Sequence, residues 1–416
     1  MNSDIVIWII AGLSTACVVL RPWRLPEAIW AAAGATALIA SGLLPLSSAL
    51  LGIEKGVDVY LFLIGMMMVS EIAREHHLFD WLAQKACEKA QGSSRRLFNL
   101  VFLVGTGVTV FLSNDATAVV LTPAVAAIAL KAEVENPLPY LFICAFIANA
   151  ASFVLPISNP ANLVIYGAHL PSLLEWLPLY ALPSAASILA TYVALRIVLR
   201  ANLESPIRGV SVVPKISGAG KSAAIGIALT AAVVLLASAF HLQLGLPTFL
   251  SALVTLAVLS VREHASPRNV LAGVSWSTIA LVAGLFVLVE ALVATGAIGE
   301  LQSFLVASSG STDSLSWTAG IGIALISNLV NNLPAALVAG TASHGVSGQP
   351  ALREALLIGV DLGPNLSVTG SLATILWLQA MRRAGVEMTA GRFLKVGAVV
   401  MPPALLLSLT ALLVVR

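Results

Sequence analysis

The sequence predicts an all-α integral membrane protein of ten transmembrane helices and two re-entrant hairpins, arranged as two inverted five-span repeats with two broken helices. Of its 416 residues, 58% are hydrophobic and 10% charged, and apolar stretches of membrane-spanning length recur from one end to the other. Four of those stretches are interrupted by polar clusters, and plain and interrupted stretches follow in the same order twice. Basic residues gather strongly on one side of the implied layout.

The first segment, MNSDIVIWIIAGLSTACVVLRPW, has no basic stretch ahead of its apolar run and is followed at once by another span. It therefore reads as the first transmembrane helix and not as a signal peptide. Spans are expected near 5–20, 27–46, 57–73, 138–167, 172–195, 222–240, 246–261, 274–292, 353–380 and 393–415. Two further apolar stretches, 97–131 and 315–342, are split by Ser113-Asn114-Asp115 and by Asn331-Asn332. Each reads as a hairpin that goes halfway into the membrane and returns.

Superposing the hairpin clusters gives a repeat with an offset of roughly 215 residues. Five crossings per half is an odd number, so the second half enters from the opposite side and the repeat is inverted. The expected boundaries are 1–205 for the first repeat, 206–221 for a polar, Pro- and Gly-bearing cytoplasmic linker, and 222–416 for the second. With both termini outside the cytoplasm, only Lys55, Arg353 and Arg416 of the 22 Lys and Arg residues fall outside. The net charge of +2 gives no reason to expect nucleic acid or an acidic partner.

An unpaired backbone amide in hydrocarbon costs several kcal/mol, so non-helical chain survives only beside protein or a hydrated cavity. The four interruptions are accordingly where function is expected. They are Ser113-Asn114-Asp115; Pro156, Ser158, Asn159, Pro160 and Asn162; Asn331, Asn332 and Pro334; and Asp361, Gly363, Pro364, Thr369, Gly370, Ser371 and Thr374. Superposition sets Asn114 and Asp115 opposite Asn331 and Asn332, and Asn159 and Asn162 opposite Ser371 and Thr374. Half-helix N-termini and unwound carbonyls would then make a small polar substrate site near the midplane. Ser-Asn-Asp ahead of an apolar run is also an ordinary helix N-cap, and Pro334 suits a first helical turn; both readings can hold together. Asp115 has three open roles: proton carrier, permanently protonated hydrogen-bond donor, or part of a cation site. Asp361 has the same three and a structural contact to the Gly363-Pro364 break as a fourth. Two central carboxyls make Asp115 and Asp361 the expected proton-coupling residues. Glu71 and Glu290 lie near span ends and are expected to snorkel to the interface.

Cys17, Cys87 and Cys144 form no paired spacing, and the six histidines, at loops or span ends, have no helical i, i+4 pairing. No metal site or cofactor is expected. The absence of HExxH and GxSxG motifs argues against an intramembrane enzyme.

At the interruptions the sequence resembles the arsenical pump membrane protein family, the arsenite and antimonite permeases of the ion transporter superfamily. The matching stretches are SNDATAVVLTP at 113–123, SNPANLVIYG at 158–167, SNLVNNLP at 327–334 and DLGPNLSVTGSLATILW at 361–377. The resemblance implies export of arsenite or antimonite across the cell inner membrane in exchange for protons, in some members with a soluble ATPase bound to the carrier. It also implies an elevator-like motion of about 97–199 and 315–415 against about 1–75 and 222–292. Polar hairpin tips are shared with sodium/proton antiporters and dicarboxylate carriers of the same superfamily, and a sodium/proton antiporter or an oxyanion or dicarboxylate carrier stands as the alternative. Arsenite, a neutral trihydroxide, would be held by Asn114, Ser158, Asn159, Asn332, Ser371 and nearby backbone N–H groups.

Overall fold

The computed structural model describes residues 3–207, 216–263, 266–307, 312–344, 346 and 350–416, and every regular element among them is a helix. The first run comprises α1 (Ser3–Leu20), α2 (Glu27–Ala40), α3 (Leu46–Lys55), α4 (Val57–Glu75), α5 (Leu78–Ala90) and α6 (Ser94–Phe111). After the break at Leu112 and Ser113 come α7 (Asn114–Ala116), a π-helical turn (Thr117–Leu121) and α8 (Thr122–Lys131). Then follow α9 (Leu138–Ala150), a 3-10 turn (Pro156–Ser158), α10 (Pro160–Tyr166) and α11 (Leu173–Val198). The second run is α12 (Gly218–Ala239), α13 (Gly245–Arg262), α14 (Pro267–Gly273), α15 (Trp276–Ala294), α16 (Ala297–Ala307), α17 (Thr312–Val330), α18 (Asn332–His344), α19 (Pro350–Leu362), a 3-10 turn (Gly363–Asn365), α20 (Leu372–Arg383) and α21 (Ala390–Val415). Residues 208–215 of the expected linker, and His264, lie outside the described residues.

Seven described helices are long and apolar enough to cross a bilayer, or eight if α3 and α4, bent by 47°, count as one span. Six of the ten expected spans are among the seven; the seventh is the Asn114–Lys131 arm. The other expected spans are the 14-residue α2, the bent α3–α4 pair and the two interrupted stretches, each of which is divided into half-helices. The helix α3 was not anticipated, because Ser47, Ser48, Glu54 and Lys55 give LSSALLGIEK the look of a loop. Outward-facing Leu13, Leu189, Ile225 and Leu229 are each about 60% exposed, as a lipid-facing surface requires and an aqueous one disfavours.

Two helical bundles result. In one, α4 packs on α13, α15 on α2 and α3, α1 on α2, and α12 on α13. In the other, the long proline-bearing helices α11 and α21 pack together, α6 lies on α9, α17 on α19, and α10 on α18. Small residues set the approach of the first bundle: a Cβ on Gly65 of α4 would sit 2.8 Å from the backbone of Thr248 and Phe249 on α13. Gly65→Val should therefore overpack the α4–α13 contact at a cost of about 1–3 kcal/mol. Gly12, with nothing within 4 Å of the same position, should tolerate alanine. Thermal unfolding in detergent is expected to fall for Gly65→Val and to hold for Gly12→Ala; equal melting of the two variants would contradict this packing.

Candidate functional site

Each interrupted stretch ends one half-helix and caps the next. Pro156 cannot continue α9, and Asn159 then caps α10, its Oδ1 accepting from Ala161 N at 3.0 Å with Pro160 in the first turn. In the other stretch Gly363 and Pro364 end α19, and Ser371 caps α20 by accepting from Thr374 N at 3.1 Å. The 366–370 loop folds back on the turn of its own break, which explains one glycine: a Cβ on Gly370 would lie 2.6 Å from Pro364 Cα.

The two breaks are joined across the halves. Asp361 Oδ2 accepts from Ser152 Oγ at 2.6 Å and Asp361 Oδ1 accepts from Asn159 Nδ2 at 2.8 Å. Reciprocally, Asn149 Nδ2 donates to Asn365 Oδ1 at 3.0 Å and to Thr374 Oγ1 at 3.4 Å, and Ser371 Oγ donates to Asn149 Oδ1 at 3.4 Å. The last residues of one half-helix thus bond the cap of the other break, in both directions. All of these side chains are fully or almost fully buried. Asn162 Nδ2 donates to the freed carbonyl of Ser152 at 2.9 Å, and Ser158 Oγ donates to Val110 O at 2.9 Å, tying the break to the end of α6.

The tips seat on the same breaks. Ser113 caps α7, accepting from Ala116 N at 3.2 Å, and Asn114 Oδ1 accepts from Asp115 N at 2.9 Å. Both α7 and the π turn pack on α9 and α20. At the second tip Asn331 adopts φ 71°, a left-handed conformation that asparagine tolerates. There Asn332 N donates to Gly370 O at 2.8 Å, Asn331 Nδ2 donates to Thr369 O at 3.4 Å, and Thr369 Oγ1 donates to Asn328 O at 3.1 Å.

A cavity of about 120 Å³ lies where this polar centre meets the first bundle. The second bundle contributes Ser113, Asp115, Ala116, Val119, Val120, Pro160, Leu372 and Leu376; the first contributes Ser70 and Glu71 with Leu63, Met66 and Met67 of α4, then Gly273, Ser275 and Thr278. No Lys, Arg or His lines it among the described residues. Asp115 is half-buried, and no described residue donates a hydrogen bond to its carboxylate. Glu71, Val119, Val120, Gly273 and Leu376 also line a larger cavity of about 1050 Å³ that contains Arg74, His77, Asp80, Gln379 and Arg383. The small cavity therefore shares a wall with this wider one, a vestibule beside it.

Among the residues expected to bind, Ser113 and Asp115 line the cavity. Asn114, Ser158, Asn159, Asn162, Asn331, Asn332, Gly370, Ser371 and Thr374 do not and are buried behind it, and Thr369, also outside the lining, is exposed. Asp361 likewise sits inside the network, with no exposure. The snorkelling expected of Glu71 is corrected: it is 8% exposed, pairs with Arg74 at 2.6 Å and faces both cavities. Glu290, by contrast, pairs with the half-exposed Lys55 at 2.6 Å. Asn149, Ser152 and Asn365 were missed, although a polar residue inside the apolar run LFICAFIANAASF was a usable signal. The three cysteines are free and lie on α1, α5 and α9, and no metal-holding group of His, Cys, Asp and Glu occurs among the described residues.

Asn149→Ala would leave the buried Asn365 Oδ1 without its donor, at about 1–3 kcal/mol. Asp115→Asn removes no protein hydrogen bond. Thermal unfolding should drop for the first and hold for the second; a drop for Asp115→Asn as large as that for Asn149→Ala would assign Asp115 to the structural network instead of the cavity.

A family model described as a citrate transporter, CitMHS, matches residues 5–359. An arsenical pump membrane protein of Escherichia coli is 26% identical over 415 residues, covering 96% of each chain. A second from Escherichia coli is 29% identical over 365 residues, covering 84% of each. An uncharacterized transporter of Mycobacterium tuberculosis is 26% identical over 404 residues, covering 92% of each. Among solved structures, the YdaH transporter of Alcanivorax borkumensis superposes with a TM-score of 0.62 at 16% identity, covering 100% of this chain and 98% of that one, a likeness of fold alone.

Proposed function

The chain belongs to the citrate transporter (CitMHS) family, and on that premise we propose that it exports arsenite, and antimonite by the same chemistry, across the cell inner membrane in exchange for protons. It is a membrane transporter and not an enzyme. The observation that carries the substrate reading is the lining of the 120 Å³ cavity: the carboxylate of Asp115, the hydroxyls of Ser70, Ser113, Ser275 and Thr278, and no basic side chain. Glu71 is neutralised by Arg74, so Asp115 sets the sign. A tricarboxylate would meet a like charge with no cation to receive it. A neutral trihydroxide instead donates its O–H groups to the carboxylate and serine oxygens, and no net charge has to be desolvated. The volume is also well below the ~300–1,000 Å³ of ordinary ligand pockets.

In this reading the polar network behind the cavity positions the hairpin tips and half-helix ends, and the substrate touches Ser113 and Asp115. The ten-span arrangement, with 97–131 and 315–342 as re-entrant hairpins, is favoured by the tips seating on the breaks. Two inverted repeats are favoured by the matching order of elements and by the reciprocal bonds of Asn149 and Asp361. With Arg74, Lys131 and Arg383 cytoplasmic, the vestibule opens inward. An elevator-like shift of the second bundle against the first would carry Asp115 past Glu71, because the cavity lies on the seam. Arsenite release outside would follow protonation of Asp115 or Asp361, and the proton would leave on the inside.

Removing the charge-assisted hydrogen bond at Asp115 costs about 1.5–3 kcal/mol, so Asp115→Asn should raise half-saturation for arsenite about ten- to a hundredfold in proteoliposomes. Its arsenite flux should also lose its dependence on the pH gradient. Citrate in excess should neither compete nor be carried. Proton-linked citrate flux without arsenite flux would sink the substrate assignment and leave an organic anion carrier.

A further inference from the structure

The donors that suit a neutral hydroxide also suit a competitor. Asp115 and the hydroxyls of Ser70, Ser113, Ser275 and Thr278 are all hard oxygens, the ligand type that sodium and other hard cations take. Charge separates the two ligands: the hydroxide brings none, whereas a cation is held more strongly by each carboxylate that faces it. The cavity has a second carboxylate, Glu71, contributed by the first bundle.

Two features fix what Glu71 does there. Gly273 leaves the space that its carboxyl occupies, because a Cβ on Gly273 would overlap Glu71 Oε2, Cδ and Cγ. The side chain is thus turned inward from α4 and is buried. From one turn further along α4, Arg74 Nε donates to Glu71 Oε2 at 2.6 Å. Arg74 itself is half-exposed and lines the vestibule but not the cavity. Its guanidinium also lies 3.9 Å from Glu75 Oε2, and Glu75 accepts from Asn269 at 2.9 Å. The other charged or titratable groups of the vestibule are His77 and Asp80, which face each other at 2.9 Å, and Arg383. A half-exposed pair at i, i+3 spacing adds little to stability, so its main consequence is the charge that it leaves in the cavity.

We propose that Arg74 is a specificity-determining residue: by pairing with Glu71 from outside, it holds the cavity at one uncompensated carboxylate and so excludes sodium from a site suited to a neutral hydroxide. Without the guanidinium the same cavity of about 120 Å³ presents two carboxylates among its hydroxyls, the donor set of a cation site. Selectivity then comes from a group set against the competitor and not from a contact to the cargo. The proposal rests on the arsenite reading above for its cargo, while the exclusion of sodium is measurable without arsenite.

The test compares sodium chloride with choline chloride on the full chain at about pH 8, where free carboxyls are ionised. Thermal unfolding in detergent, with no arsenite present, should rise by at least about 2 °C in sodium for Arg74→Gln. It should not differ between the salts for the unsubstituted chain, for Arg74→Lys, which keeps the charge, or for the Glu71→Gln/Arg74→Gln double variant, which removes the freed carboxylate. In proteoliposomes sodium should raise half-saturation for arsenite at least about tenfold in Arg74→Gln and less than about twofold in the other three. Identical behaviour of Arg74→Gln in the two salts would overturn the proposal, and so would sodium sensitivity that survives in the double variant. Sodium sensitivity of the unsubstituted chain would overturn it too, since Arg74 would then exclude nothing. If the unsubstituted chain carries no arsenite, the substrate reading falls, and the unfolding comparison still decides whether Arg74 keeps sodium out.

Discussion

Backbone polar groups in hydrocarbon must be satisfied by protein, and the centre of this molecule is organised by that requirement. Both interrupted spans expose helix ends where no lipid can bond them. The chain meets the cost by crossing its partners: Asp361 accepts from Ser152 and Asn159 of the first break, and Asn149 bonds Asn365, Ser371 and Thr374 of the second. Removing either half would orphan the other. The second hairpin tip, which bonds Gly370 and Thr369, and the end of α6, whose Val110 carbonyl accepts from Ser158, are positioned by the same lattice.

Function follows from where that lattice stops. On the side facing the first bundle it gives way to a cavity in which the Asp115 carboxylate has no donor among the described residues, while Asp361 is bonded through both oxygens within. The two carboxyls that looked alike as intramembrane acids therefore separate into a cavity-facing group and an interior one. A largely apolar lining that carries four hydroxyls and one uncompensated carboxylate suits a small neutral hydroxide better than an organic polyanion. This is the physical ground for setting the arsenical pump relatives above the citrate description of the family for this chain. Because the lining is shared by both bundles, relative motion of the bundles would open and close it.

Much of this was legible in the sequence, and for a physical reason. Polar residues are costly inside apolar runs, so Ser113, Asp115, Asn159, Asn331 and Ser371 stood out, and the breaks fell where Pro156 and Gly363-Pro364 placed them. What the residues bond was not legible. Asn149 and Asn365 are 216 positions apart, and no local pattern announces such a pair. The same limit hid the division between cavity-lining and network residues, which depends on which side of a half-helix faces the other bundle. Glu71 was misjudged because a glutamate near a span end ordinarily reaches for the interface; here Gly273, whose absent Cβ would overlap Glu71 Oε2, leaves room for it to turn inward. The short helix α3 was hidden by Ser47, Ser48 and Glu54, polar residues on a helix that leans 47° from its neighbour.

The central claim is that one small cavity couples a neutral hydroxide to a counter-moving proton. The most direct measurement is the internal pH of liposomes containing this protein alone, followed after arsenite is added on one side. The account predicts an arsenite-induced proton movement opposite to the arsenite flux, absent from protein-free liposomes. Arsenite flux with no change in pH, or a pH change produced by citrate and not by arsenite, would contradict it.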